Sequence, residues 1–489
     1  MTEKKGENKL LTFIKENRLL VLVFLIVTAF FAYQHYASQS WDFNSYVMNA
    51  RYFFYNGTYY EVYRAPLASI FLAPFIIFGF FGEFLYIILV SLIFLYANIK
   101  LSDIVFKNYK EKTYTRLIFY LFSFSPFIVL NGLSVGTELF ALSFLELFLV
   151  FMLNKQLSGH FLGLAFLVRY NLLYFTPLLL FTGNIKKIIK NILLFLLIIA
   201  PWFIYNYFAL GNWLYSIIDS YALNVLFRQA LTEPFPLKNI LHISGFYLPF
   251  ILFGISIALY DIFKKRSKSD WKNYLLFSAL AFIVLYDCFK IPFKIDRYLF
   301  NLSLPFAFFS TLGILFLAKK YKKVDILKIS SIILIIIFIL STFALASGFF
   351  INRNYDNKFK EAADKIKELG MQSCAFRSPH WVLISYYTEN TYPGFGNLSK
   401  FVDKNETVIL FLGDVTYDDS FTQEEVNSLP YIYKNNQFIF LGNATNSSCE
   451  KKEIYNHPLL NTEQPCQILA EALPFHNLSH SACLFLNKH

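Results

Sequence analysis

Residues 18–36 read RLLVLVFLIVTAFFAYQHY, with no lysine, arginine, aspartate or glutamate from 19 to 36. As a helix rising 1.5 Å per residue, this stretch reaches across most of a hydrocarbon core of roughly 30 Å. A helix also satisfies its backbone polar groups internally, which lipid requires. Aromatic and polar residues follow rather than a small-residue cleavage site, so 19–36 is read as a first membrane anchor and not as a removable signal.

Lys4, Lys5, Lys9, Lys15 and Arg18 precede the anchor, and by the positive-inside rule residues 1–18 are cytoplasmic and the chain after Tyr36 is outside. Later loops follow the same rule. Segment 84–106 descends to Lys107, Lys110, Lys112 and Arg116, then 117–133 rises and 138–153 descends. Segments 161–168 and 172–181 read as two half-length passes around Arg169, ahead of Lys186, Lys187 and Lys190. After 191–208 rises, 240–262 descends to Lys264, Lys265, Arg266, Lys268 and Lys272. Segment 273–289 rises, 298–317 descends to Lys319, Lys320, Lys322 and Lys323, and 326–350 rises last. A full pass at 66–80 would invert every later lysine cluster, so that piece is read as an outer-leaflet or re-entrant helix within an outer loop, 37–83. The expectation is an all-α polytopic membrane domain, 19–350, of about eleven passes.

Composition agrees with lipid: of 489 residues, 56% are hydrophobic, 20% aromatic and only 16% charged, with a mean hydropathy of +0.45. The net charge of +11 sits largely in short loops, where orientation explains it and nucleic-acid binding does not. From 351 to 489 the composition turns polar and mixed, with a helical 359–369 and strand-like 407–412 and 438–441. Cys374, Cys449, Cys466 and Cys483 lie there, an even number in a stretch expected to be extracytoplasmic, with connectivity open. Sequons at Asn397, Asn405, Asn443, Asn446 and Asn477 fit the same side. The expectation is a C-terminal extracytoplasmic α/β domain, disulfide-bonded.

Chemistry concentrates at the outer ends of the passes. Asp42, in Trp41-Asp42-Phe43-Asn44-Ser45-Tyr46, lies just beyond the first anchor, with Arg64-Ala65-Pro66-Leu67 behind it. A carboxylate there can act as general base on an acceptor hydroxyl, against the plain alternative of a solvated loop residue. Glu138 opens a descending pass on the same side, where capping a helix N-terminus is the competing role. Together the two acids offer partners for substrate hydroxyls or for a divalent cation. Lys290, Lys294 and Arg297 break the positive-inside pattern; Asp287 and Asp296 are candidate ion-pair partners, and a lipid phosphate is the alternative. Arg169 is an intramembrane cation that needs a cavity or a partner. Arg228 and His242 are possible further donors, His242 and Tyr46 toward acceptor or sugar. No P-loop, GxGxxG, HExxH or clustered His/Cys spacing occurs, and no cofactor is expected.

Over roughly 19–317 the sequence resembles the GT-C superfamily of polyprenyl-phosphate-dependent glycosyltransferases, near the protein mannosyltransferase, aminoarabinose transferase and RgtA/B/C/D-like groups. The carriers are Asp42 with Tyr46, Ala50 and Gly57, then Arg64-Ala65-Pro66-Leu67 and Thr137-Glu138. Further carriers are Gly163 through Arg169-Tyr170 with Pro177, Pro201-Trp202 with Asn206, Gly211-Asn212, and Arg297-Tyr298-Leu299 with Pro305. The resemblance implies that Asp42 is the catalytic acid/base and that a basic pocket around Arg297 holds the carrier phosphate, with Arg64, Arg169, Tyr170, Lys290, Lys294 and Tyr298 as donor-site residues. Where the family often has a second acid and a second proline, this chain has Phe43 and Ala65, which weighs against a divalent cation in the first loop. The Trp-Trp-Asp motif of oligosaccharyltransferases is missing, which argues against transfer of a preassembled glycan to asparagine.

These readings combine into one expectation. With the resemblance, the residues imply a multi-pass cell-membrane hexosyltransferase, active in protein or envelope glycosylation, expected to take a sugar from a polyprenyl phosphate (dolichyl phosphate mannose being one such donor). It delivers that sugar with inversion to a glycan, lipid or protein hydroxyl outside the cytoplasm. Its partners are that donor, the acceptor and membrane lipids. A transporter or flippase of lipid-linked sugars is the rival reading.

Overall fold

The computed structural model describes residues 9–37, 40–124, 128–129, 132, 136–226, 237–264, 271–290, 296–321, 324–394, 398–403, 405–412, 423–445, 448–451 and 455–456. The apolar runs form helices. The first anchor is α1, Arg18–Ala37, followed by α2, Trp41–Phe54, a two-residue strand β1, Tyr59–Tyr60, and α3, Leu67–Ile76. At ten residues α3 spans about 15 Å and cannot cross a bilayer, in keeping with its reading as less than a full pass. Gly79, at φ +58°, then turns the chain into α4, Phe80–Val105.

Next come α5, Lys112–Ser123, the almost wholly enclosed α6, Glu138–Leu153, and α7, Gly159–Val168. The pair of half-length passes is present, with α7 ending at Arg169 in extended backbone and a 3-10 helix, Tyr170–Phe181, following. The bundle continues with α8, Ile185–Leu210, α9, Tyr215–Tyr221, α10, Leu248–Phe263, α11, Trp271–Lys290, and α12, Ser303–Tyr321. Six helices among the described residues are long and apolar enough to cross a membrane; of the other expected passes, 326–350 lies within a 45-residue helix, and the rest are shorter helices or extend into residues not described. The chain is a multi-pass membrane protein.

The span around α12 is mostly enclosed, whereas α8 turns Leu193, Leu197 and Phe208 outward, the surface expected where lipid is the solvent. Close helix packing uses glycine: a Cβ on Gly254 of α10 would lie 1.7 Å from the carbonyl oxygen of Phe309 in α12, so no side chain fits between them.

One expectation is corrected. The last pass and the helix expected at 359–369 are a single helix, α13, Val324–Glu368, because the change from apolar to polar residues alters the solvent and not the helical pattern. The chain leaves it only at Gly370, whose φ of +68° is left-handed. Beyond it lie β2, Phe376–Ser378, α14, Trp381–Thr388, β3, Thr391–Pro393, β4, Thr407–Phe411, β5, Tyr431–Lys434, β6, Phe438–Leu441, and β7, Tyr455–Asn456. Five strands make a mixed sheet ordered β3-β2-β4-β6-β5, whose β4 and β6 are the expected strands. A disulfide joins Cys374 to Cys449 with Cα atoms 5.6 Å apart; Cys466 and Cys483 lie outside the described residues.

The sheet region is tied to the membrane helices. Strand β1 pairs in parallel with β7, and α14 packs on α2. Arg51 donates to the Tyr386 carbonyl at 2.6 Å, and the Thr58 amide donates to Glu389 at 2.9 Å.

Candidate active site

Asp42 occupies the first turn of α2, behind the cap Ser40, where a carboxylate complements the helix dipole. Residues Phe43 to Ala50 of this helix are buried, which fixes the aspartate relative to the bundle. Its Oδ1 accepts from Arg64 Nη1 at 2.5 Å and its Oδ2 lies 2.6 Å from Arg297 Nη1. Glu138, at the start of α6 and fully buried, pairs with Arg169 through Oε1, and Arg297 Nη2 reaches the same oxygen at 3.4 Å. The break after α7 is what frees the Arg169 guanidinium to turn toward Glu138 and the Thr137 hydroxyl, 3.1 Å away. Five residues singled out in the sequence, Asp42, Arg64, Glu138, Arg169 and Arg297, therefore meet in one cluster.

Arg64 adds a further acid. Its Nε donates to Glu61 Oε2 at 2.6 Å, and Glu61 has no exposed surface. Sequence reasoning missed Glu61; the only signal was its place three residues before Arg64, which a tight turn converts into contact. The cluster thus holds three carboxylates, Asp42, Glu61 and Glu138, against three guanidiniums, Arg64, Arg169 and Arg297.

Burial alone would raise the Asp42 carboxyl, but the charges of Arg64 and Arg297 overcome it and hold its pKa well below the usual carboxylate range. Burial would likewise lower Arg64 and Arg297, and their acidic neighbours reverse it, so both stay charged. Both Asp42 oxygens face guanidiniums, and among the described residues no group of His, Cys, Asp and Glu is placed to hold a metal ion. Three buried polar atoms in the cluster have no hydrogen-bond partner among the described residues: Arg169 Nε, Arg297 Nε and Glu138 Oε2. Buried donors of this kind are normally satisfied, so the cluster retains capacity to bind an anion.

The other expected residues fall around it. Tyr46 lies beneath the Arg64 guanidinium, 5.5 Å from ring centre to Cζ, and burial raises its pKa. The Tyr170 hydroxyl donates to the Arg64 carbonyl at 3.3 Å and lies within hydrogen-bond distance of the Ser216 hydroxyl, 3.0 Å away. Tyr298 donates to Asn224 Oδ1 at 3.0 Å. Asp287 does not serve as the ion-pair partner of Arg297; it accepts from Asn171 at 3.3 Å. Lys294 and Arg228, and the side chains of Lys290, Asp296 and His242, lie outside the described residues.

No protein-family model and no curated protein sequence matches the chain. Solved structures do, among them the crystal structures of ArnT from Cupriavidus metallidurans, bound to undecaprenyl phosphate and in the apo state. The first superposes with a TM-score of 0.56 at 10% identity, covering 87% of this chain and 97% of that one. The second gives 0.55 at 10% identity, covering 86% and 97%. At this identity the likeness is one of fold alone.

Proposed function

We propose that this chain, built on the GT-C fold of ArnT, is a membrane glycosyltransferase that moves a sugar from a polyprenyl phosphate to an acceptor hydroxyl on the non-cytoplasmic side. The observation that carries the reading is the convergence of Asp42, Glu138, Arg169 and Arg297 on one buried cluster with unused guanidinium donors. The ArnT structure bound to undecaprenyl phosphate supports a lipid phosphate as the anion. A disulfide between Cys374 and Cys449 supports an oxidising compartment for the region packed on α2.

In this reading Arg297 and Arg169 hold the donor phosphate, and Asp42 accepts the proton of the acceptor hydroxyl. The acceptor oxygen bonds to the anomeric carbon as the bond from that carbon to the phosphate oxygen breaks, and the electron pair leaves with the phosphate. One displacement inverts the sugar carbon. An aspartate held by two guanidiniums is a weak base, and the donor remedies this: a phosphate engaging Arg297 draws it from Asp42 Oδ2 and raises the proton affinity of the carboxylate. Charge is conserved locally, because the proton gained by Asp42 balances the charge gained by the departing phosphate.

The test incubates the purified protein with a panel of undecaprenyl-phosphate-linked and dolichyl-phosphate-linked hexoses, mannose included, and follows release of the carrier phosphate. Wild type should consume one donor, and Asp42→Asn should bind undecaprenyl phosphate but lose turnover by ~10²–10⁴-fold. A flippase releases no carrier phosphate, so a wild-type protein that consumes no donor would defeat the transferase reading, and full donor consumption by Asp42→Asn would defeat the assignment of Asp42 as base.

A further inference from the structure

A line of short hydrogen bonds leads from the C-terminal region to Asp42. Trp381 Nε1, in α14, donates to the Tyr59 hydroxyl at 3.0 Å, and that hydroxyl donates to Glu61 Oε1 at 2.6 Å. Arg64 Nε donates to the other Glu61 oxygen at 2.6 Å, and Arg64 Nη1 reaches Asp42 Oδ1 at 2.5 Å. Glu61 is also fixed through its backbone, since its amide donates to Asn49 Oδ1 at 2.9 Å and its carbonyl accepts from Asn49 Nδ2 at 3.1 Å. Tyr59 and Glu61 are buried, and Trp41 and Trp381 meet edge to face at 4.5 Å around this line.

We propose that Glu61 is a positioning residue for the acceptor-activating step, and that Trp381 and Tyr59 couple the C-terminal region to it. The inference rests on the reading of Asp42 as the acceptor base. Arg64 aims the Asp42 carboxylate, but an unshared guanidinium would also quench its basicity. Glu61 takes part of that charge through Nε while leaving the Nη1 bond that orients Asp42. Donor phosphate is assigned to the opposite side of the cluster, at Arg297 and Arg169, so Glu61 should act on turnover and not on donor binding. The relay also gives the C-terminal region a role beyond covering the helices: without its indole donor the Tyr59 hydroxyl loses one of the bonds that aim it at Glu61, while Arg64 still holds the other Glu61 oxygen.

The experiment uses the full chain and two readouts, binding of undecaprenyl phosphate and turnover of the donor found in the panel above. Glu61→Gln, which keeps shape and removes charge, should lower kcat by ~10–100-fold with affinity for undecaprenyl phosphate unchanged within about twofold. Glu61→Asp, which restores the charge, should recover part of the loss. Trp381→Phe should lower kcat by roughly 2–5-fold, and the double variant should be no worse than Glu61→Gln alone, because both act on one line. Additive losses, or equal losses in binding and turnover, overturn the proposal. If Glu61→Gln turns over like wild type while Asp42→Asn is inactive, the relay fails and the base assignment stands; if Asp42→Asn is active, the base assignment itself fails. Should Glu61→Gln not fold, Trp381→Phe decides alone: wild-type turnover would overturn the relay.

Discussion

Arg297 reaches Asp42 and Glu138 with one guanidinium, its Nη1 2.6 Å from Asp42 Oδ2 and its Nη2 3.4 Å from Glu138 Oε1. A fork geometry that already bridges two carboxylates is suited to exchanging one of them for a phosphate. Arg297→Ala should therefore weaken undecaprenyl phosphate binding and lower turnover by ~10²–10³-fold, whereas Arg297→Lys, a point charge, should recover only part of either. Direct binding and donor-release assays check this, and wild-type affinity in Arg297→Ala would remove the phosphate from that side of the cluster.

The two guanidiniums on Asp42 make a pH prediction with a definite sign. They depress its pKa, so removing one raises it. Arg64→Gln should shift the acid limb of kcat/KM to higher pH, with Arg297, Arg169, Glu138, Tyr46 and Tyr63 still facing the carboxylate. The same depression contributes stability that is fully present above the unfolded aspartate value, roughly 3.9, and lost as pH falls through the lower folded value. Melting curves on the acid side should then show a loss in wild type that Asp42→Asn lacks. An acid limb unmoved by Arg64→Gln would mean that another group sets it.

Legibility in the sequence followed range. The passes were readable because lipid imposes apolar runs and the lysine loops punctuate them, and Arg169 was readable because two runs of half length flank it. Gly370 could have ended the long helix correctly: no glycine or proline stands between Phe349 and Leu369, but the loss of apolar character at 352 drew attention first. Beyond its place three residues before Arg64, Glu61 carried no local mark, since a loop carboxylate is ordinarily solvated, and the folded contacts with Tyr59 and Arg64 accompany its burial. The pairing of Arg297 with Asp42 rather than Asp287 was equally hidden, because helix packing and not sequence spacing decides it.

The Gly254 contact makes a stability prediction independent of chemistry. Any side chain there must push α10 from α12, since even a Cβ would sit 1.7 Å from the Phe309 carbonyl oxygen. Gly254→Leu should destabilise the protein by about 1–3 kcal/mol or more, and lower its melting temperature in detergent, with donor affinity per folded molecule unchanged. Wild-type melting of Gly254→Leu would mean that the two helices are not in such close contact.

The Cys374–Cys449 bond encloses a sequence separation of 75 residues, and that stretch contains Trp381, Tyr386 and Glu389, the residues through which the sheet region grips the loop around Arg51, Thr58 and Tyr59. Closing a loop of this length removes unfolded-chain entropy worth about 4 kcal/mol. Replacing both cysteines by alanine avoids leaving a free thiol and should lower the stability of the sheet region by an amount of that order. Turnover should fall with it, because Glu61 and through it Asp42 depend on those contacts. Reductant should reproduce the effect in wild type and add nothing to the double variant. Intact turnover of a double variant whose sheet region is unfolded, judged by limited proteolysis, would separate the catalytic cluster from the C-terminal region and leave the membrane helices to hold Asp42 alone.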